Sequence, residues 1–180
     1  MLNAENTGKK ERELQKSGPV LTIRTAVPQD LEAITHLEAV CFPPAEAAGK
    51  QSFAARLAKF GDHFWLLFED GQLVGMVNGM VTDEETIRDE MFEDANLHQE
   101  GGAWQSIFGL DVVPEKREQG YGAMLMEHCI GEAKKQGRKG CILTCKDRLI
   151  HYYAKFGYEN CGLSASVHGG AVWYDMTLRF

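Results

Sequence analysis

Apolar and polar residues alternate from the first ordered-looking stretch, with Leu21, Ile23 and Thr25 set against Thr22, Arg24 and Ala26, which predicts a strand. Pro28 then suits a first helical position with Asp30 in the first turn, and Leu31, Ile34, Leu37 and Cys41 follow at helical spacing up to Pro43-Pro44. A second helix is predicted at about Ser52 to Lys59, burying Phe53, Leu57 and Phe60. His63 to Glu69 and Gln72 to Val81 read as two strands joined by an Asp70-Gly71 hairpin turn. Gly75 and Gly79 share one face of the second strand, which signals a twist or a close neighbour. Ile107 to Val113 is a β-branched, apolar run closed by Pro114. Counting 100° per residue from Gly122 puts Leu125, Met126, Cys129, Ile130 and Ala133 on one helix face, with Gly137 as the stop. Gly140 to Cys145 is a further strand, and Asp147 is placed to cap a helix over Arg148 to Phe156 that ends at Gly157. Tyr158 to Cys161 and Val172 to Leu178 close the list of strands, on either side of a Gly-rich turn at His168-Gly169-Gly170. This order predicts a mixed α/β sheet with helices on both faces.

One segment breaks the rhythm. Thr82 to Ala103 carries eight acidic residues against one arginine, with only Ile87, Met91 and Phe92 as an apolar stripe. A short helix in a long excursion is expected, serving either as a solvated negative face or to steer substrate. Residues 1–18 are polar and end at Gly18-Pro19, so they read as a mobile arm or a short docked helix ahead of one domain over 19–180. They have no apolar core of the kind a secretory signal needs, and no run approaches the ~20 apolar residues of a membrane span. Five cysteines at irregular spacing suggest free thiols in the cytoplasm, and Cys141 and Cys145 lack a zinc-type partner pair, so no metal is expected. A net charge of −7 disfavours nucleic acid as a partner and mildly favours a cationic substrate.

The candidate chemistry lies where a strand, a charged loop and a helix start meet, at Arg117-Glu118-Gln119-Gly120-Tyr121-Gly122-Ala123. The first N–H groups of a helix lack intrahelical acceptors and carry the positive end of the macrodipole, and glycines allow close approach, so the site suits a phosphate. It is not a Walker loop, since Gly122 is followed by Ala123 and Met124. It is not a Rossmann fingerprint either, since position 125 is leucine. The pattern resembles the pyrophosphate loop (Arg/Gln-x-x-Gly-x-Gly/Ala) of the GNAT acetyltransferase superfamily, which holds acetyl-coenzyme A. That resemblance implies the GNAT fold, an α/β architecture with a mixed, mostly antiparallel central sheet. It also implies that the main chain of Leu110 and Val112 would hold pantetheine.

Leu143 to Tyr158 is similar to the matching segment of arylalkylamine (serotonin) N-acetyltransferases, in which a tyrosine three residues before Phe-Gly-aromatic protonates the coenzyme thiolate. Here that residue is Tyr153. Cys145 falls near the expected thioester and is the competing nucleophile, though it also reads as a buried strand residue. The resemblance departs at Ser106 and Phe108, which stand where members that acetylate serotonin have two histidines. Asp83, Glu84 and His168 are the replacement bases considered. The implied activity is acetyl transfer to a primary amine, with a small-molecule acceptor favoured over a protein N-terminus, a lysine or an amino-acid-like metabolite. A coenzyme A-binding module without turnover is the rival class.

Overall fold

A computed structural model describes residues 17–180, so the expected N-terminal arm lies almost wholly outside the described residues. The chain runs β1 (Leu21–Thr25), α1 (Leu31–Cys41), α2 (Lys50–Phe60), β2 (Phe64–Glu69), β3 (Gln72–Asn78), β4 (Val81–Thr82), α3 (Asp89–Glu93), β5 (Trp104–Ile107), β6 (Gly109–Val112), α4 (Tyr121–Lys135), β7 (Gly140–Cys145), α5 (Ile150–Ala154), β8 (Glu159–Leu163) and β9 (Tyr174–Arg179). The strands form two sheets, in the orders β1-β2-β3-β6 and β4-β5-β7-β9-β8. Every pairing is antiparallel except β5 with β7. This is the mixed, mostly antiparallel α/β sheet that the resemblance implies.

Strand β2 shows how the layers are set. Its residues alternate between two cores: Trp65 and Leu67 pack with Leu125, Met126, Cys129 and Ala133 of α4, while Phe64 and Leu66 pack with Ile34, Leu37, Phe53 and Phe60 of α1 and α2. A strand covered on both faces has to be apolar throughout, which is why Phe64 to Phe68 lacks a polar residue. The turn at Asp70-Gly71 has both residues at positive φ (48° and 81°), the backbone that a two-residue hairpin loop requires.

Three elements differ from the sequence expectation. The run from Ile107 to Val113 is not one strand: β5 and β6 belong to different sheets and part at Phe108. The long partner strand likewise ends at Asn78, and Val81–Thr82 pairs in the other sheet. Gly79 lies at this crossing with its Cα against the Ser106 carbonyl, where no side chain fits. Asp147 does not cap α5 but sits inside a single 3-10 turn, and the helix itself is five residues long.

The acidic excursion is docked. Ile87, Met91 and Ala95 are buried in the α1–α2 core. Its acids act as anchors: Asp83 accepts from the Ala103 N–H at 3.0 Å, Asp94 from Asn96 at 3.0 Å, and Asp89 from Ser166 Oγ and the Val167 N–H. Glu100 joins His63, His98 and Arg138. The cysteines are all free: Cys129, Cys141 and Cys145 are buried, Cys41 is half-buried and Cys161 is exposed. Among the described residues no helix is long and apolar enough to cross a membrane.

Candidate active site

The parting at Phe108 creates the site. Strand β5 follows β7 in parallel as far as Ile107 opposite Leu143, and beyond it β6 turns to β3 and leaves Thr144 and Cys145 unaccompanied on that side. In an antiparallel ladder alternate residues bond to the neighbour. Val113 donates to Val74 at 2.9 Å, so Asp111 and Val113 face β3. The main-chain groups of Leu110 and Val112 therefore point into the gap between β6 and β7. The Val112 carbonyl is already an acceptor, from Arg117 Nε at 3.0 Å and Cys41 Sγ at 3.4 Å.

The loop that follows is wound by left-handed residues. Glu118 has φ 61° and Gly120 φ 85°, and Gln119 Nε2 donates to the Glu115 carbonyl at 3.2 Å. The first backbone bond of α4 runs from the Met124 N–H to the Gly120 carbonyl, so the N–H groups of Tyr121, Gly122 and Ala123 have no intrahelical acceptor. The Tyr121 side chain points elsewhere: it is buried, and its hydroxyl donates to Glu69 at 2.6 Å beside the Lys116–Glu69 ion pair, which fastens the loop to the end of β2. Tyr121 thus offers the site its N–H and not its ring. Gly122 is hemmed in, since a Cβ there would lie 2.8 Å from the Tyr152 hydroxyl and 3.8 Å from Leu110 and Val112. Tyr152, absent from the sequence expectation, therefore touches the loop.

Tyr153 follows on α5, 9% exposed, its ring 5.2 Å from that of Tyr152 and 6.0 Å from that of Tyr158. Burial first, then the neighbouring Tyr152 and Cys145, pushes its hydroxyl well above the usual phenol range, so it holds its proton. Burial also pushes the Cys145 thiol up to about 11, which leaves little thiolate at neutral pH.

On the opposite face of β6 a cleft of about 180 Å³ is bounded by Glu38, Glu46, Ser52, Arg56, Phe92, Phe108 and His168, among others. Phe92 forms its aromatic wall, 4.9 Å from Phe108 and 4.7 Å from His168 between ring centres. His168 does come to this cleft, with Nε2 2.9 Å from the Glu46 carbonyl. Asp83 and Glu84 do not line it; they hold Ala103 and Arg88. The floor brings together Glu38, Arg56 and the buried Asp111, none of them expected from sequence.

A separate cluster, His63, His98 and Glu100, has ligand-type atoms within 4.8 Å of one another. His98 Nδ1 accepts from the Val81 N–H at 3.0 Å, so its proton sits on Nε2 and is donated to Glu100, while His63 Nδ1 donates to Gln105 Oε1 at 2.8 Å and its Nε2 lies 2.9 Å from Glu100.

Residues 31–158 match the family model described as Acetyltransferase (GNAT) family. The chain belongs to this family. Among curated relatives, it is 29% identical over 110 residues to serotonin N-acetyltransferase of Mesocricetus auratus, covering 61% of this chain and 52% of that one. The chain thus spans about half the length of the curated relatives it matches. Among solved structures, the loading GNATL domain of CurA from Lyngbya majuscula superposes with a TM-score of 0.77 at 15% identity, covering 89% of this chain and 98% of that one. The GphF GNAT-like decarboxylase in complex with isobutyryl-CoA superposes with a TM-score of 0.76 at 22% identity, covering 88% and 98%. These structures share the fold. The geometry of this GNAT chain suits acetyl-coenzyme A on its own terms: an unpaired strand edge, a loop of outward N–H groups, and a glycine where a side chain would collide.

Proposed function

We propose that this chain is an acetyl-coenzyme A-dependent N-acetyltransferase acting by direct attack of a primary amine in a ternary complex, with a small, arylalkylamine-like acceptor. The observation that carries the reading is the pair of openings on the two sides of β6: a backbone edge ending at an anion-suited loop, and an aromatic cleft with acidic groups. When bound, the coenzyme supplies an activated acetyl thioester. The N–H groups of Leu110 and Val112 would hold its pantetheine, and those of Tyr121, Gly122 and Ala123 its phosphates, together with the backbone of Glu118, Gln119 and Gly120. Arg117 spends Nε on Val112 and keeps the outer nitrogens of its fork for charge. Tyr153, protonated at neutral pH as phenols are, serves as proton donor to the leaving sulfur. Phe92 and Phe108 give the acceptor's apolar part a surface to lie on, and the small cleft favours a metabolite over a folded protein surface.

Thiol release from acetyl-coenzyme A, followed across arylalkylamines, polyamines, amino acids and short peptides, tests the reading. Stimulation by arylalkylamines is expected. Release stimulated only by peptides would overturn the acceptor class, and no stimulation by any amine would overturn the enzyme. Tyr153→Phe separates enzyme from binding module: turnover should fall about 10²–10⁴-fold, the usual contribution of a positioned acid, with coenzyme A affinity unchanged.

A further inference from the structure

Leu110 and Val112 reach towards α4, so the intervening Asp111 projects to the other side of β6, where it meets Glu38 of α1. Asp111 is fully buried and Glu38 is 6% exposed. Both Asp111 carboxylate oxygens and Glu38 Oε2 lack a hydrogen-bond partner among the described residues, while Glu38 Oε1 accepts from the Ala48 N–H at 3.1 Å. Gly109 makes the meeting possible: a Cβ there would lie 3.0 Å from Asp111 Oδ1 and 3.6 Å from Glu38 Oε2.

Two adjacent buried carboxylates cannot both ionise, because each lacks water and repels the other. Asp111 Oδ1 and Glu38 Oε2 flank the same Gly109 position, and burial, then the charge of Glu38, pushes the Asp111 carboxyl well above the usual carboxylate range, so Asp111 holds a proton. Arg56, 6% exposed, supplies the counter-charge. It donates to the Phe92 carbonyl at 2.9 Å, lies 5.0 Å over the Phe108 ring, and feels the charge of both acids. Burial lowers it to about 10, so it stays charged at neutral pH. One arginine and one singly protonated acid pair make an electrically balanced group. Glu38 and Arg56, though largely buried, line the cleft beside Phe92, Phe108 and His168. Cys41 of α1 and Arg117 of the loop also face Asp111, and Tyr153 approaches it from α5. Glu46, Glu93 and His168 face the cleft around Glu38.

We propose that the Glu38–Asp111 pair is the proton acceptor for the incoming amine, and that Arg56 is a positioning residue that holds the pair at one proton. The proposal rests on the N-acetyltransferase reading. An ammonium group lying against Phe92 and Phe108 in the cleft passes one proton to Glu38, while Asp111 carries the pair's other proton. The freed nitrogen lone pair forms the C–N bond and the C–S bond breaks, its electrons going to sulfur. Sulfur takes a proton from Tyr153, the nitrogen's second proton replaces that one, and the proton on Glu38 returns to water through the cleft. The sum is amide, thiol and one proton released.

The test uses Glu38→Gln and Asp111→Asn, which keep shape and remove charge, and Arg56→Met. Infrared spectra of the protein at neutral pH, without any coenzyme, are expected to show a protonated carboxyl band that disappears in Asp111→Asn and shifts in Glu38→Gln. With an amine substrate, kcat/KM should fall about 10²–10³-fold in each acid variant and recover as pH rises and the amine neutralises itself, with coenzyme A affinity unchanged. Arg56→Met should move the acidic limb of the pH profile upward. A wild-type protein that acetylates amines while both acid variants keep its kcat/KM and pH profile would overturn the assignment and leave the enzyme reading intact. Absence of the protonated carboxyl band would overturn it whether or not any amine is a substrate.

Discussion

Adding a single methyl group to Gly122 tests the contact that joins the loop to α5. Gly122→Ala places a Cβ 2.8 Å from the Tyr152 hydroxyl oxygen, closer than such carbons approach in folded proteins. The tyrosine cannot simply swing away, because its ring lies edge-on to Tyr153 at 5.2 Å and Phe156 at 5.4 Å, pairs worth roughly 0.5–1.5 kcal/mol each. Overpacking of this kind costs about 1–3 kcal/mol. Against it stands at most about 0.5–1 kcal/mol from replacing glycine by alanine in a helix. The net expectation is a loss of about 1 kcal/mol, or roughly 2–4 °C in Tm for a domain of this size. Tyr152→Phe removes the atom that is struck, so in that background Gly122→Ala should leave Tm level or raise it. Heat melts of the four proteins give the coupling directly. An equal fall in Tm in both backgrounds would refute the contact, and with it the placement of Tyr152 against the loop.

Other consequences can be checked in parallel. Burial holds the folded His98 pKa down, so the unfolded chain binds more protons below the ordinary histidine value and stability falls as pH drops through about 6.5. For Glu100, burial pushes upward but hydrogen bonds from His63 and His98 outweigh it, so a second loss follows near and below the ordinary carboxylate range. His98→Asn, with an amide oxygen to take the Val81 N–H, should abolish the first step in a plot of Tm against pH and keep the second. Iodoacetamide at pH 8 should label exposed Cys161 first and spare Cys141 and Cys145, whose thiols burial pushes up to about 12 and about 11. Mass spectrometry reads this, and prompt labelling of Cys145 would revive it as a nucleophile. Asp89→Ala removes both anchors of the Ser166–Val167 segment and should raise KM for the amine several-fold with little change in kcat, through a loosened His168 wall; an unchanged KM would show that this wall does not shape the cleft.

What could be read from sequence alone follows from what period and turn chemistry encode. Strand β7 was expected at Gly140 to Cys145 and is found there, because an apolar run between Gly140 and a polar Lys146-Asp147 has only one way to lie. The phosphate-suited loop is readable because what it offers a ligand is backbone, which glycines announce. The break at Phe108 is not, since alternation tells which face a residue takes but not which neighbouring strand it pairs with. The floor of the cleft does carry a signal in the sequence. Glu38 stands four residues after Ile34, Arg56 three after Phe53, and Asp111 sits mid-run between Leu110 and Val112, so the helical period puts the first two on core faces and the third interrupts an apolar strand. Charged residues at core positions need counter-charges, and Arg56 lies near enough to feel both acids.

The parting of β6 from β7 also bears on how this protein fails. Unpaired strand edges are the surfaces through which chains recruit one another, and natural sheets usually blunt them with lysine, proline or a bulge. Among the described residues this edge carries Leu110 and Val112 and packs in the core shared with α4 and α5. A short α5 of five residues is a light cover. Prolonged heating that lifts it uncovers an apolar edge with donors and acceptors ready to pair, so protein held above its Tm should accumulate intermolecular β-structure. A coenzyme occupying the gap would act as a surrogate strand and delay that fate.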